Sequence, residues 1–168
     1  EVQAYLRAGR DRDAVTAYRR LKTIPAAAKR PQLWFWGARA ELGLRDYAAA
    51  KGSAERGLAL TPDDGEGVIL YARALYRLDE DAAALVQFTR AAQLLPEQEY
   101  PRYYVARIHH VHKRYAEAVE AYSAVAALAP NKSSSLTYRG SCHWYLGNLD
   151  QARADFGRAI AINATDEE

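Results

Sequence analysis

Tyr115-Ala116-Glu117-Ala118-Val119-Glu120-Ala121-Tyr122-Ser123-Ala124-Val125-Ala126-Ala127-Leu128-Ala129-Pro130 is the stretch that decides the fold. Ala118, Tyr122 and Val125 are spaced by four and then three residues, which puts them on one face of a helix. Pro130 cannot continue that helix, because its nitrogen carries no hydrogen and its ring clashes with the preceding turn. The same set returns along the chain. Ala84 and Phe88 precede it by 34 residues (84 to 118), and Ala152 and Phe156 follow it by 34 (118 to 152). Ala50 lies another 34 back, with Ala54 in the aromatic slot, and Ala14 precedes Ala50 by 36 with Tyr18 in that slot. Leu21, Gly57, Ala91 and Ala159 share the phase of Val125, and Pro62 and Pro96 share that of Pro130, where the last unit has Ala164. The longer first step holds the extra segment Pro25-Ala26-Ala27-Ala28-Lys29-Arg30-Pro31.

An earlier helix in each unit carries Ala38, Ala72, Ala106 and Gly140, again 34 apart. Small residues at one phase let two helices approach closely. Turns such as Leu78-Asp79-Glu80-Asp81 and Leu146-Gly147-Asn148 separate the first helix from the second. Each helix pair has an apolar stripe that it cannot cover alone, and stacked neighbours cover it.

Trp34, Ala38, Ala50, Gly57 and Pro62 resemble the tetratricopeptide repeat (TPR) pattern, as do Gly140, Leu146-Gly147, Ala152, Phe156 and Ala159. The resemblance covers nearly the whole chain as one TPR domain over 1–168: a partial repeat at 1–25, then repeats at 31–64, 65–98, 99–132 and 133–168. Gly43 lies earlier than the usual turn glycine, and Arg139 replaces a usual apolar residue. The resemblance implies an all-α fold, an α-solenoid of antiparallel helix pairs wound as a right-handed superhelix with a concave inner surface. Neither end reads as a cap, and Ile162-Asn163-Ala164-Thr165-Asp166-Glu167-Glu168 is followed by no polar solvating helix. The chain is therefore expected to be a fragment of a longer array that continues in both directions.

In this family the first helix of each unit faces the groove. Carried over by phase, the partner-binding positions are Phe35, Trp36, Arg39, Arg73, Tyr76, Tyr100, Tyr103, Tyr104, Arg107, Tyr138 and Tyr145. Arg39, Arg73 and Arg107 share one phase at steps of 34, so stacked units would set three guanidinium groups in a row. Such a row suits carboxylates or phosphates, each able to make paired hydrogen bonds. The alternative is that these arginines are solvated or paired with local acids such as Glu41 and Glu66. Of the aromatics, some belong to the core, Trp144 and one adjacent tyrosine above all. Others remain as interface anchors, with apolar faces and polar tips. The family's chaperone-binding subgroup grips a terminal carboxylate with a Lys/Asn/Asn/Lys/Arg set. Here Arg39, Arg73, Leu70 and Tyr104 stand at the asparagine phases, so that clamp is not expected.

The residues argue against other classes. A net charge of +2 is too small to point to nucleic acid or a membrane surface. One cysteine, Cys142, allows no intrachain disulfide, and its phase makes it a small buried hydrophobe. No apolar run approaches the ~20 residues of a membrane span. His109 and His112 lack the further ligands zinc needs, and His109 shares a phase with His143, which marks a packing position. No catalytic residue, metal site or cofactor is expected. The leading expectation is a scaffold that binds a segment of a partner protein in its concave groove, with an acidic segment the candidate that the arginine row suggests. The alternative is a periplasmic scaffold of a bacterial exopolysaccharide export system, guiding an anionic or amino-sugar polymer or docking a modifying enzyme. A third reading, RNA binding by analogy with pentatricopeptide repeats, is opposed by the 34-residue step and the near-neutral charge. The compartment stays open between bacterial periplasm and cytoplasm.

Overall fold

A computed structural model describes residues 1–165, so the last three residues of the C-terminal stretch lie outside the described residues. Among the described residues the regular structure is all helix: α1 (Val2–Arg7), α2 (Asp11–Leu21), α3 (Pro25–Ala28), α4 (Pro31–Gly43), α5 (Tyr47–Leu60), α6 (Gly65–Arg77), α7 (Asp81–Leu94), α8 (Glu99–Val111), α9 (Tyr115–Leu128), α10 (Ser133–Tyr145) and α11 (Leu149–Thr165). The chain divides into two compact units, Glu1–Leu94 and Leu95–Glu168. In the first unit α1 packs on α2, α4 on α5 and α6 on α7, and the pairs join through α2 with α4 and α5 with α6. In the second unit α8 packs on α9 and α10 on α11, joined through α9 with α10. This is an α-solenoid of antiparallel helix pairs. The extra segment after α2 forms the short α3, and the Trp34 indole N–H pins it by donating to the Ala28 carbonyl (2.8 Å).

Helices pack this closely because little stands between them. Ala50, Ala84, Ala118 and Ala152 are all buried, and so are Ala38, Ala72, Ala106 and Gly140 on the partner helices. Glycine goes further where an aromatic ring lies on the backbone. A Cβ on Gly37 would sit 2.5 Å from the Tyr18 ring, and one on Gly57 or Gly67 would sit 2.3 or 2.4 Å from Phe35 Cε1. Proline ends the second helices: Pro62, Pro96 and Pro130 each lie two residues past the last residue of α5, α7 and α9.

Every turn within a pair closes in the same way. Gly9, Arg45, Asp79, Lys113 and Gly147 have φ of 66°, 63°, 59°, 59° and 79°. The next residue's N–H reaches back five positions, as from Asp46 to Glu41 (2.9 Å) and from Arg114 to His109 (2.9 Å). The left-handed residue bonds the carbonyl three before it, as from Lys113 to His110 (2.9 Å). Together these form the Schellman closure, which satisfies carbonyls left over at a helix end. The turn position in the second repeat is thus Arg45, and Gly43 lies inside α4 under Asp11, whose carboxylate a Cβ would strike at 2.0 Å.

Two buried polar clusters interrupt the apolar core. In the first unit the Tyr18 hydroxyl lies 2.9 Å from Ser53 Oγ, and Ser53 donates to Glu41 Oε2 at 2.6 Å. Glu41 is only 3% exposed. Burial pushes its carboxyl above the usual carboxylate range; the Ser53 hydrogen bond, Lys22 and Arg19 oppose that rise, while Asp46 adds to it. In the second unit Arg139 forms a two-pronged pair with buried Asp155 (2.7 and 2.6 Å) and also donates to Ser123 (3.1 Å). That pairing accounts for an arginine at a usually apolar position. Cys142 is fully buried, and burial raises its thiol to about 11.

One expectation is corrected. Trp144 is not core: it is 61% exposed and Tyr145 60%. Trp144 occupies the phase of His110, whose ring is met by Tyr138 of the following pair (5.7 Å). No helix among the described residues follows α11 to do the same for Trp144.

Three outcomes are expected. Lys113→Gly relieves a left-handed side chain and raises stability by about 0.5 kcal/mol, while Gly147→Ala lowers it by about 1 kcal/mol, both read from urea midpoints. Glu41→Gln removes a buried carboxylate and stabilises by about 1–2 kcal/mol at pH 7. A raised native pKa stabilises the fold below the unfolded carboxylate value, and that stability is lost as pH rises through the native value. The gain from Glu41→Gln therefore shrinks toward zero at about pH 4. Melting curves at the two pH values check it, and an equal gain at both contradicts the buried charge.

Candidate functional site

The first helices of the pairs in the first unit, α1, α4 and α6, bound a groove of about 370 Å³. Gln3, Leu6 and Arg7 come from α1, and Gln32, Phe35, Trp36 and Arg39 from α4; Glu66 and Leu70 come from α6, with Asp64 at its N-terminus. On α4, Gln32, Trp36 and Arg39 recur at four and three residues, so the helix delivers them to one side. Phe35 is 8% exposed and mostly core, packed with Leu42, Ala54 and Leu70, and it shows the groove only an edge. Trp36 is half-buried against the neighbouring core and offers more of its ring.

The charges in the groove are not equivalent. Asp64 is committed as the N-cap of α6, accepting from Gly67 N at 2.7 Å. Glu66 has an interaction of its own. The side chains of Arg7 and Arg39 make no hydrogen bond or ion pair among the described residues. Glu41, one of the acids considered as a local partner for the arginines, points its carboxylate at Ser53. The groove therefore offers two uncommitted guanidinium groups beside apolar surface from Leu6, Trp36 and Leu70. Arg73 and Tyr76 lie farther along α6, both half-buried, outside the lining of this groove.

In the second unit the aromatics mainly hold helices together. Tyr103 of α8 meets Tyr122 of α9 (6.1 Å) and Tyr138 of α10 (6.3 Å), and Tyr122 and Tyr138 stack at 6.0 Å. Tyr100 and Tyr104 lie 4.8 Å apart on α8, and Tyr115 and Tyr145 stack at 4.6 Å. The Arg107 guanidinium sits 4.5 Å over the Tyr138 ring, and the Lys132 ammonium 4.5 Å over Tyr103 while also paired with Glu99 (2.7 Å). Tyr122 is fully buried with no partner for its hydroxyl, and burial pushes its phenol up. The Nδ1 atoms of His109 and His143 are likewise buried without partners, at the shared phase.

The structure thus brings Phe35, Trp36 and Arg39 to one groove, and Tyr103, Arg107 and Tyr138 to one cluster. The α1 residues Gln3, Leu6 and Arg7 were not singled out from sequence. Their signal was the 36-residue step: carried back from Arg39 and Leu42, it lands on Gln3 and Leu6.

The Tetratricopeptide repeat family model matches residues 37–102, 80–133 and 106–167. A crystal structure of MamA superposes with a TM-score of 0.91 at 17% identity, covering 99% of this chain and 96% of that one. MamA from Desulfovibrio magneticus RS-1 superposes at 0.90 and 16% identity, covering 99% and 93%. YrrB, described as a TPR protein with an unusual peptide-binding site, superposes at 0.81 and 17%, covering 96% and 82%. At these identities the likeness is one of fold. No curated protein matches the chain in sequence.

Truncating Phe35 should act through the core: Phe35→Ala is expected to cost about 3–5 kcal/mol in urea unfolding. A loss below about 1 kcal/mol would mean that the ring serves the groove rather than the core.

Proposed function

The chain belongs to the tetratricopeptide repeat family, and from that premise we propose that its first unit binds an extended or helical segment of a partner protein along α1, α4 and α6. An apolar side chain of the segment lies on Trp36 and Leu6, and a carboxylate takes Arg39 and Arg7. The single observation that carries this reading is the pair of uncommitted guanidinium groups beside apolar wall in one groove. Arginine suits the task because its planar fork matches a carboxylate in two parallel hydrogen bonds. A groove of this type holds a partner in place; the protein is read as a scaffold and not as an enzyme. The peptide-binding site described for YrrB supports the class of partner.

Arg73, Tyr76, Tyr100, Tyr104, Arg107 and Tyr145 are kept in the proposal as further contact positions. Tyr145 is the most open of the aromatic set proposed here. Tyr103 and Tyr138 contribute through the cluster they build. The polysaccharide-export reading gains no support from the comparisons and stands second.

Selection from a random peptide display library tests the reading. Bound peptides are expected to carry Asp or Glu beside an aromatic or aliphatic residue. Arg39→Glu should weaken a selected peptide at least tenfold, about 1.4 kcal/mol, while reversal of exposed Arg12 leaves it unchanged. Arg73→Glu and Arg107→Glu report whether the other two positions of the row take part. Undiminished binding by Arg39→Glu removes that residue from the mechanism.

A further inference from the structure

The first unit contains a second cavity, of about 500 Å³, that shares no lining residue with the groove. It opens between α2 and α5. Glu41 and Ser53 lie in its floor, Tyr18 and Trp34 form its aromatic wall, and Lys22 and Arg56 border it. We propose that this cavity is a binding site for a small zwitterion of the amino-acid type, with its ammonium on the Glu41 carboxylate and its carboxylate between Lys22 and Arg56. The inference goes beyond the peptide groove and does not depend on it.

Glu41 is the first reason. At the same phase one repeat later stands Leu75, 1% exposed, so an apolar residue serves the packing there. Burying a carboxylate instead costs desolvation that a single neutral hydrogen bond does not recover. The hydroxyl chain shows what is left over. A carboxylate only accepts, so Ser53 spends its hydrogen on Oε2, and its oxygen is then the acceptor for the Tyr18 hydroxyl. Both hydroxyl protons thus run toward one carboxylate oxygen, and Oε1 receives no protein donor among the described residues. Lys22 and Arg19 act on this carboxylate only as nearby charges and not as bonded partners, so an ammonium in the cavity adds both a donor to Oε1 and a direct ionic contact.

The border of the cavity carries the opposite charge. Lys22 and Arg56 are exposed and make no ion pair among the described residues; the Lys22 ammonium rests 5.0 Å from the Tyr18 ring centroid. A ligand with only a positive group would leave these two cations unanswered and face their repulsion. A ligand with only a negative group would meet the buried carboxylate. A molecule with both ends answers both. The remaining wall is small: Thr23, whose hydroxyl is spent on the Arg20 carbonyl (2.8 Å), Ala48, Ala49 and Gly52 line it, and a Cβ on Gly52 would meet nothing within 4 Å. That leaves room for an aliphatic or aromatic side chain against Tyr18 and Trp34.

The test is calorimetric titration of the purified chain with each common L-amino acid, up to about 5 mM. At least one is expected to bind with a Kd of ~1 mM or tighter. Its N-acetyl derivative, which lacks the ammonium, and its amide, which lacks the carboxylate, should each bind at least tenfold more weakly. Glu41→Leu, which repeats the residue at Leu75, and Gly52→Trp, which fills open space, should each abolish the signal. Both variants should retain a cooperative melt. Absence of binding by every amino acid overturns the proposal, and so does binding that persists in both variants or that ignores the two derivatives. In either case Glu41, Ser53 and Tyr18 are packing alone. Arg39→Glu should leave amino-acid binding intact, which separates failure of this site from failure of the groove.

Discussion

Helix pairs in this protein meet over positions that carry a methyl group or a hydrogen and nothing larger. Ala38, Ala50, Ala72, Ala84, Ala106, Ala118, Gly140 and Ala152 all lie at those contacts, and all are buried. Close approach removes water from both backbones and draws the flanking side chains into contact. The large residues then have to lie to either side. Tyr18 spreads over Gly37, and Phe35 fills the space left by Gly57 and Gly67. The groove of the first unit is bounded by α1, α4 and α6, whose polar residues Gln3, Arg7, Gln32, Arg39 and Glu66 line it beside Leu6, Trp36 and Leu70.

Polar groups enter this core where the repeat is irregular or where another polar group answers them. Arg139 and Asp155 form a closed pair, with the remaining guanidinium nitrogen given to Ser123. The Tyr18–Ser53–Glu41 chain is open at one end and sits at the long first step, where α3 is inserted before α4. Burial raises the Tyr18 phenol to about 12, so it stays a neutral donor at any ordinary pH. The two clusters show the difference between a charge matched within the protein and one left facing a cavity.

The helical repeat was legible from residue spacing, because the 34-residue step places like residues in like surroundings. The turns were less legible. Their left-handed position is held by Gly9, Arg45, Asp79, Lys113 and Gly147, and only glycine advertises that backbone in sequence. The aromatics were legible as a set but not one by one. His110 and Trp144 share one phase on the first helices α8 and α10, yet His110 is half-buried and Trp144 is largely exposed. The difference lies in whether a following helix covers the ring, which no property of the residue itself records.

Sequence by itself determined the class of fold and the helical content, since period and phase are properties of the chain alone. Tertiary structure decided which of the candidate residues share a groove, that Phe35 belongs mainly to the core, that α1 completes the groove and that Glu41 faces a cavity. The physical reason is that burial and charge pairing depend on distances between helices far apart in sequence. Those distances follow from how large the residues at each contact are, and from what lies across it.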